Sequence, residues 1–139
     1  GHSSAEAMKK LIDLGEFDTM LIAMNHFQEG NEKFEGSTIP AAAERGLGII
    51  AMKVVRPRET VKNISAESLI RYALSVKYVN MAILGMESLD VLKNNIKLMK
   101  DFQPLDNSEM EKIKLSLKPF FKNKKLDWMQ HSYRDGLWA

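Results

Sequence analysis

The 139-residue sequence contains no cysteine, which excludes disulfides, thiolate metal sites and a cysteine nucleophile. It has no apolar run long enough to cross a bilayer as a helix, so no membrane partner is expected. Excess charge of one sign is also missing: 20 Lys and Arg against 18 Asp and Glu leave a formal +2, too little to imply nucleic acid as a partner. The densest basic cluster, Lys122, Lys124 and Lys125, is short and reads as a solvated surface. His2, His26 and His131 are too scattered for metal-ligand spacing, and neither low-complexity tracts nor a repeat at a fixed period is found. What is present suits one folded domain, with 45% hydrophobic and 27% charged residues. The nine methionines fall mostly at core positions of helices and strands.

The stretch 78–95 (YVNMAILGMESLDVLKNN) organises the rest. Residues 79–84 form a short apolar run suited to a parallel strand buried on both faces. Gly85 breaks the run. Ser88 is placed to cap a following helix, along which Leu89, Leu92, Ile96 and Met99 make one apolar stripe. A strand that ends in glycine and feeds a capped helix points backbone N–H groups and the positive end of the helix dipole at the strand's C-terminal edge, where anions bind.

In chain order, Ser3 and Glu6 have capping-box spacing, and Met8, Leu11 and Ile12 predict a helix over 5–14 stopped by Gly15. The chain opens without Met on a turn-like GHSS, so an upstream segment is expected. Residues 19–24 (TMLIAM) predict the first strand, and 25–36 a polar loop. Thr38 is expected to cap a short helix over 39–45 with Pro40 in its first turn. Residues 48–54 (GIIAMKV) predict the second strand, followed by a charged loop, 56–63. Ser65 caps the next helix, on the spacing of Ala66, Leu69, Ile70, Ala73 and Leu74. A last helix is expected over 108–121 with Ser108 and Glu111 as its capping box, then a tail carrying Trp128, Tyr133 and Trp138.

Strands and helices therefore alternate, which predicts right-handed crossovers and a parallel sheet. If the three strands belong to a barrel, the helices cover one face and the other is left bare. A (β/α)8 barrel takes about 250 residues, so the length is roughly that of its second half. The expected division is 1–105 as a half-barrel and 106–139 as a C-terminal helix and aromatic tail. Homodimerisation through the uncovered sheet face is one way to close it, and would make the chain a binding or assembly module.

At 1–25 (GHSSAEAMKKLIDLGEFDTMLIAMN), 46–53 (GLGIIAMK) and 83–95 (ILGMESLDVLKNN), the sequence resembles the C-terminal half of an aldo/keto reductase, notably bacterial members. The resemblance covers residues 1 to about 105. It implies an α/β fold, the C-terminal half of a (β/α)8 TIM barrel beginning at the end of strand five. It further implies a cytoplasmic oxidoreductase that binds NADP or NAD and passes hydride to a small carbonyl substrate. The family's catalytic Asp, Tyr, Lys and His lie on strands two to four, so this chain holds none of them. It holds the cofactor side.

Carried over residue by residue, the resemblance implies cofactor contacts at Gly1, Met52, Lys53, Gly85, Ser88 and Asn95. Gly1 stands where many members have an amide-binding Asn, and Leu21 where many have a Gln. Met52 replaces an aromatic that stacks on the nicotinamide, while Lys53 and Arg56 follow near the diphosphate. Gly85, Met86, Glu87 and Ser88 replace a phosphate grip, Val91 replaces the Arg that favours NADP, and Asn95 keeps its family identity. The missing cations, with Glu87 close by, argue against a strong preference for a 2′-phosphate. A different chemistry is open to Lys53: at the end of a strand and preceded by Ile49, Ile50, Ala51 and Met52, it is a candidate Schiff-base lysine, which would make an aldolase. His26, in the polar loop, is a candidate for the barrel mouth. Trp128, Tyr133 and Trp138 are candidates to close over a substrate.

Overall fold

The computed structural model of the protein describes residues 4–24, 34–55, 61, 63–122 and 132. Ser4 opens helix α1 (Ala5–Leu14), its Oγ accepting the Ala7 N–H at 3.2 Å, with Glu6 in the first turn where a carboxylate suits the dipole. The expected cap, Ser3, lies outside the described residues, and the cap is one residue later. Ala5, Met8 and Ile12 form the buried face of α1.

Three strands, β1 (Thr19–Ala23), β2 (Gly48–Met52) and β3 (Val79–Ala82), form one parallel sheet in the order β1-β2-β3. All three stop short of the apolar runs that predict them. After β2 the backbone of Lys53 turns into the left-handed region, at φ 57°, and leaves the sheet. The ladder continues one bond beyond the neighbouring strands: Met24 N–H donates to the Met52 carbonyl at 2.9 Å, and Ile83 N–H to that of Ala51 at 2.8 Å. A bulge shifts the register between Ile49 and Ile50, so Ile49 pairs with Val79 and Ile50 with Met81. The residue left over, Asn80, fills the gap with its side chain, whose Oδ1 accepts the Ile49 N–H at 2.7 Å.

The link from β1 to β2 ends in a π-helical turn, Phe34–Thr38, that runs directly into α2 (Ile39–Glu44). A loop to Gly36 and a Thr38 cap were the expectation. Instead Thr38 has helical backbone and is fully buried, and its Oγ1 donates to the Ala5 carbonyl at 3.1 Å, tying the turn to α1. Helix α3 (Ala66–Ser75) follows β2 and is capped as expected, with Ser65 Oγ accepting from Ser68 N–H at 3.0 Å. Ser88 likewise caps α4 (Leu89–Lys100), accepting from Val91 N–H at 3.2 Å. The last helix, α5 (Asn107–Lys122), begins earlier than Ser108. Its capping box is Asp106 with Glu109: Asp106 N–H donates to Glu109 Oε2 at 2.9 Å, and Glu109 N–H to Asp106 Oδ1 at 2.8 Å.

The core lies between the helices and one face of the sheet. Met20, Ile22, Ile49 and Ala51 point into it, joined by Phe34, Leu69, Ile70, Ala73 and, from α5, Leu117. Among the described residues the opposite face is left uncovered, as expected if the strands belong to a barrel. Leu21, Ile50 and Met81 stand in register across it, and Leu21, Met81 and Ile83 are 40%, 55% and 54% exposed. This corrects the expectation that the third strand is buried on both faces: β3 is an edge strand whose inner side chains meet no second layer. The stripe on α4 is also uncovered, and no residue of that helix is fully buried.

Helix α5 is fastened to this frame by a polar clasp as well as by Leu117. Tyr72, fully buried on α3, donates its OH to Glu35 Oε1 of the π-helical turn at 2.7 Å. Lys114 of α5 sits 3.2 Å from Glu35 Oε2, with Nζ 5.9 Å from the centre of the Tyr72 ring. Burial, with the charge and hydrogen bond of Glu35 and the charge of Glu111 behind it, pushes the Tyr72 phenol far above its usual range. A phenol whose pKa is raised on folding contributes stability present below its unfolded pKa of about 10 and lost as the pH climbs past it. Tyr72→Phe is therefore expected to lower stability by about 1.5–3 kcal/mol near neutral pH, the range for a hydrogen bond to a charged group. The same variant should flatten the alkaline loss of stability above about pH 10, both effects being read by urea denaturation across pH.

Candidate functional site

In parallel α/β sheets ligands bind at the C-terminal ends of the strands, because helix N-termini and loop N–H groups converge there. Among the described residues that rim is formed by Met24, by Met52 and Lys53, and by the segment that leads from Ile83 to Ser88. Met52, half-buried, ends β2 opposite Ala23. Lys53 comes next, with its backbone fixed in the left-handed region. Beyond β3 the segment 83–87 carries Gly85 to Ser88, the cap of α4. Met52, Lys53, Gly85 and Ser88 are thus brought to one end of the sheet.

Two details refine the turn before α4. Gly85 does not adopt a left-handed conformation, and a Cβ there would meet Glu87 Oε2 at 3.7 Å, an ordinary contact. Neither backbone strain nor crowding therefore requires glycine, and the side chain facing the turn is a carboxylate. The oxygen of Ser88 is committed to capping.

Asn95 sits apart from the turn. It lies seven residues along α4 from Ser88, roughly 10 Å up the helix axis, at the wall of a groove between α3 and α4. The groove has a volume of about 500 Å³, and Ala66, Ile70, Asn94 and Leu98 also line it. Arg71 also lines it, held by two bonds from its guanidinium to the Gln103 carbonyl, at 3.3 Å from Nε and 3.0 Å from Nη2. Adjacent carboxamides of Asn94 and Asn95, each a donor and an acceptor, beside the apolar walls of Ile70 and Leu98 suit a flat, nitrogen-rich ring.

Leu21 does not reach the rim: it lies two residues before the end of β1, on the bare face. Val91 is in the first turn of α4. Gly1, His26, Arg56, Trp128, Tyr133 and Trp138 fall outside the described residues. Sequence reasoning missed the α3–α4 groove as a cavity and the clasp of Glu35, Tyr72 and Lys114. Members of the clasp lie 37 and 42 positions apart from one another along the chain, so no local motif marks them. A tyrosine, a lysine and a carboxylate together invite comparison with a proton-transfer site, but Tyr72 has no exposure to solvent and its pKa is raised, which holds it as a structural donor. Among the described residues no three His, Asp or Glu side chains are grouped to hold a metal ion, and no helix is long and apolar enough to cross a membrane.

The architecture of parallel strands alternating with helices, covered on one face, is that of about half a (β/α)8 barrel. It is similar to aldo-keto reductase AKR11C1 from Bacillus halodurans in its holo form, with a TM-score of 0.61, 15% identity and a match over 81% of this chain and 47% of that one. The apo form of the same reductase gives the same TM-score and identity, with 48% of that chain covered. The chain thus spans about half the length of these structures, and at such identity the likeness establishes the fold. No protein-family model matches the sequence, and no curated protein matches it.

The left-handed backbone at Lys53 makes a test of the rim. Such a conformation costs a β-branched residue most, because its Cβ substituents crowd the following carbonyl. Lys53→Val is expected to lower stability by about 1–2 kcal/mol, while Lys53→Asn leaves it unchanged within about 0.5 kcal/mol, measured by denaturant melts.

Proposed function

We propose that this chain is the cofactor-binding C-terminal portion of an NAD(P)H-dependent oxidoreductase of the aldo/keto reductase type, cytoplasmic and bacterial. In the whole protein a small carbonyl compound would be reduced, the nicotinamide supplying the hydride. The catalytic Asp, Tyr, Lys and His that the resemblance implies are not in this chain, so the chain alone is expected to bind cofactor without turning over a carbonyl substrate.

The observation that carries the reading is the α3–α4 groove, with Asn94 and Asn95 on its wall. A groove of about 500 Å³ admits an adenosine, whose ring edge would be read by the carboxamides and whose faces would pack on Ile70 and Leu98. From there the diphosphate would cross the N-terminus of α4, over Gly85 and Ser88. Lys53 would offer a cation at the rim and Met52 a polarisable surface for the nicotinamide. The turn 83–88 contains no Lys or Arg, and its Glu87 faces Gly85, so of the two cofactors it suits the one without a 2′-phosphate.

Calorimetric titration of the chain with NADH and NADPH tests this. Binding is expected for both, tighter for NADH, and Asn95→Ala should weaken each about tenfold, the effect of losing one ring-edge hydrogen bond. No binding of either cofactor would overturn the reading. The rival use of Lys53 has its own readout: borohydride with a small aldehyde should leave no adduct on Lys53, whereas a trapped adduct would make the chain a Schiff-base enzyme.

A further inference from the structure

The residues that line the α3–α4 groove come from α3, from α4 and from the connector 101–106 that leads on to α5. Ala66 and Ile70 stand one turn apart on α3, as Asn94 and Leu98 do on α4, so one face of each helix makes a wall. The width of the groove is therefore the spacing of two helices, and whatever holds that spacing shapes the groove.

The last turns of α3 carry a polar staple to the connector. The Arg71 guanidinium donates to the Gln103 carbonyl through both Nε and Nη2. Ser75, one turn further on, uses its hydroxyl in both senses: it donates to the Arg71 carbonyl at 2.6 Å and accepts the Leu105 N–H at 2.8 Å. The connector is thus held at the backbone of Gln103 and of Leu105, on either side of Pro104. Proline supplies no N–H and keeps the residue before it extended, so the connector does not satisfy these groups within a helical turn of its own. Asp101, where α4 ends, and Gln103 both line the groove, which puts the staple at the groove itself. Leu98 and Leu105 pack against the core on the same side.

We propose that Arg71 is a positioning residue for this groove, acting with Ser75 to hold α4 at the spacing that admits a flat ring. The proposal rests on the reading of the groove as the adenosine site. Contact with the ring falls to Ile70, Asn94, Asn95 and Leu98, whereas Arg71 acts through the connector. A staple that preforms the groove lowers the ordering cost of binding, so its loss weakens the ligand without removing a contact. Ser75 is not part of the lining, and this separates positioning from contact: a substitution there leaves both walls intact and cuts the same staple.

Calorimetric titration of the full chain with adenosine 5′-monophosphate, together with hydrogen exchange at the Leu105 amide, tests the proposal. Arg71→Ala and Ser75→Ala are each expected to weaken the nucleotide about tenfold, and the double variant no further than either alone, because both cut one device. Arg71→Lys, which keeps a donor for the Gln103 carbonyl, should recover most of the affinity. In Arg71→Ala without ligand, the Leu105 amide, which Arg71 does not touch, should exchange at least about tenfold faster, while circular dichroism shows the fold retained. Loss of affinity in Arg71→Ala with none in Ser75→Ala would make Arg71 a direct ligand contact and overturn the proposal, as would unchanged exchange at Leu105. Nucleotide binding that neither alanine variant alters would overturn this proposal alone. Failure of the unaltered chain to bind the nucleotide would overturn the adenosine reading and the proposal with it.

Discussion

A parallel sheet needs apolar cover on both faces, and the described residues of this chain provide it on one. Almost every other feature follows from that asymmetry. The connections from β1 to β2 and from β2 to β3 each return through a helix, and the core built from Met20, Ile22, Ile49, Ala51, Leu69, Ile70 and Leu117 seals the outer face. On the inner face the row of Leu21, Ile50 and Met81 is aligned by the bulge at Asn80, which resets β3 by one residue and keeps Met81 beside Ile50. The bulge is small in extent, yet without it Met81 would alternate to the packed face.

The polar fastenings lie on the covered side. Thr38 joins the π-helical turn to α1, and Glu35 of the same turn receives both Tyr72 and Lys114. One five-residue turn therefore holds α1, α3 and α5 together. A regular loop could satisfy its own backbone in many ways, whereas a half-buried carboxylate favours specific partners, and that preference helps fix where α5 lies. The rim is left to the loops, which suits a site where loops and strand ends present polar groups to a ligand.

Much of this was legible in the residues. Apolar runs, glycine breaks and Ser65 and Ser88 as caps mark strands and helices, because each is a local signal with a local cause. The resemblance in three blocks pointed to half of a barrel, and the structural likeness covers about half of one. Competing caps were harder to read. Asp106 displaces Ser108 as the start of α5 because a carboxylate and Glu109 can satisfy each other's N–H groups, and Ser4 rather than Ser3 starts the described α1. The π-helical turn was hidden inside a polar stretch, and the clasp depends on residues far apart in sequence. Of the candidate site, Met52, Lys53, Gly85 and Ser88 came from the resemblance, and strand order alone puts them at one end of the sheet. Placing Asn95 in a groove requires knowing how α4 packs on α3, which no local pattern encodes.

The central claim is that three strands and their helices form a cooperative arc with its core on one side. Native-state hydrogen exchange of the full chain tests this most directly. Amides of Ile50 and Ala51 in the middle strand, and of Tyr72 and Ala73 in α3, are predicted to exchange only through global unfolding, at one common free energy. Fast exchange at these positions, or a spread of unrelated opening energies among them, would contradict the account and describe instead a loosely ordered chain.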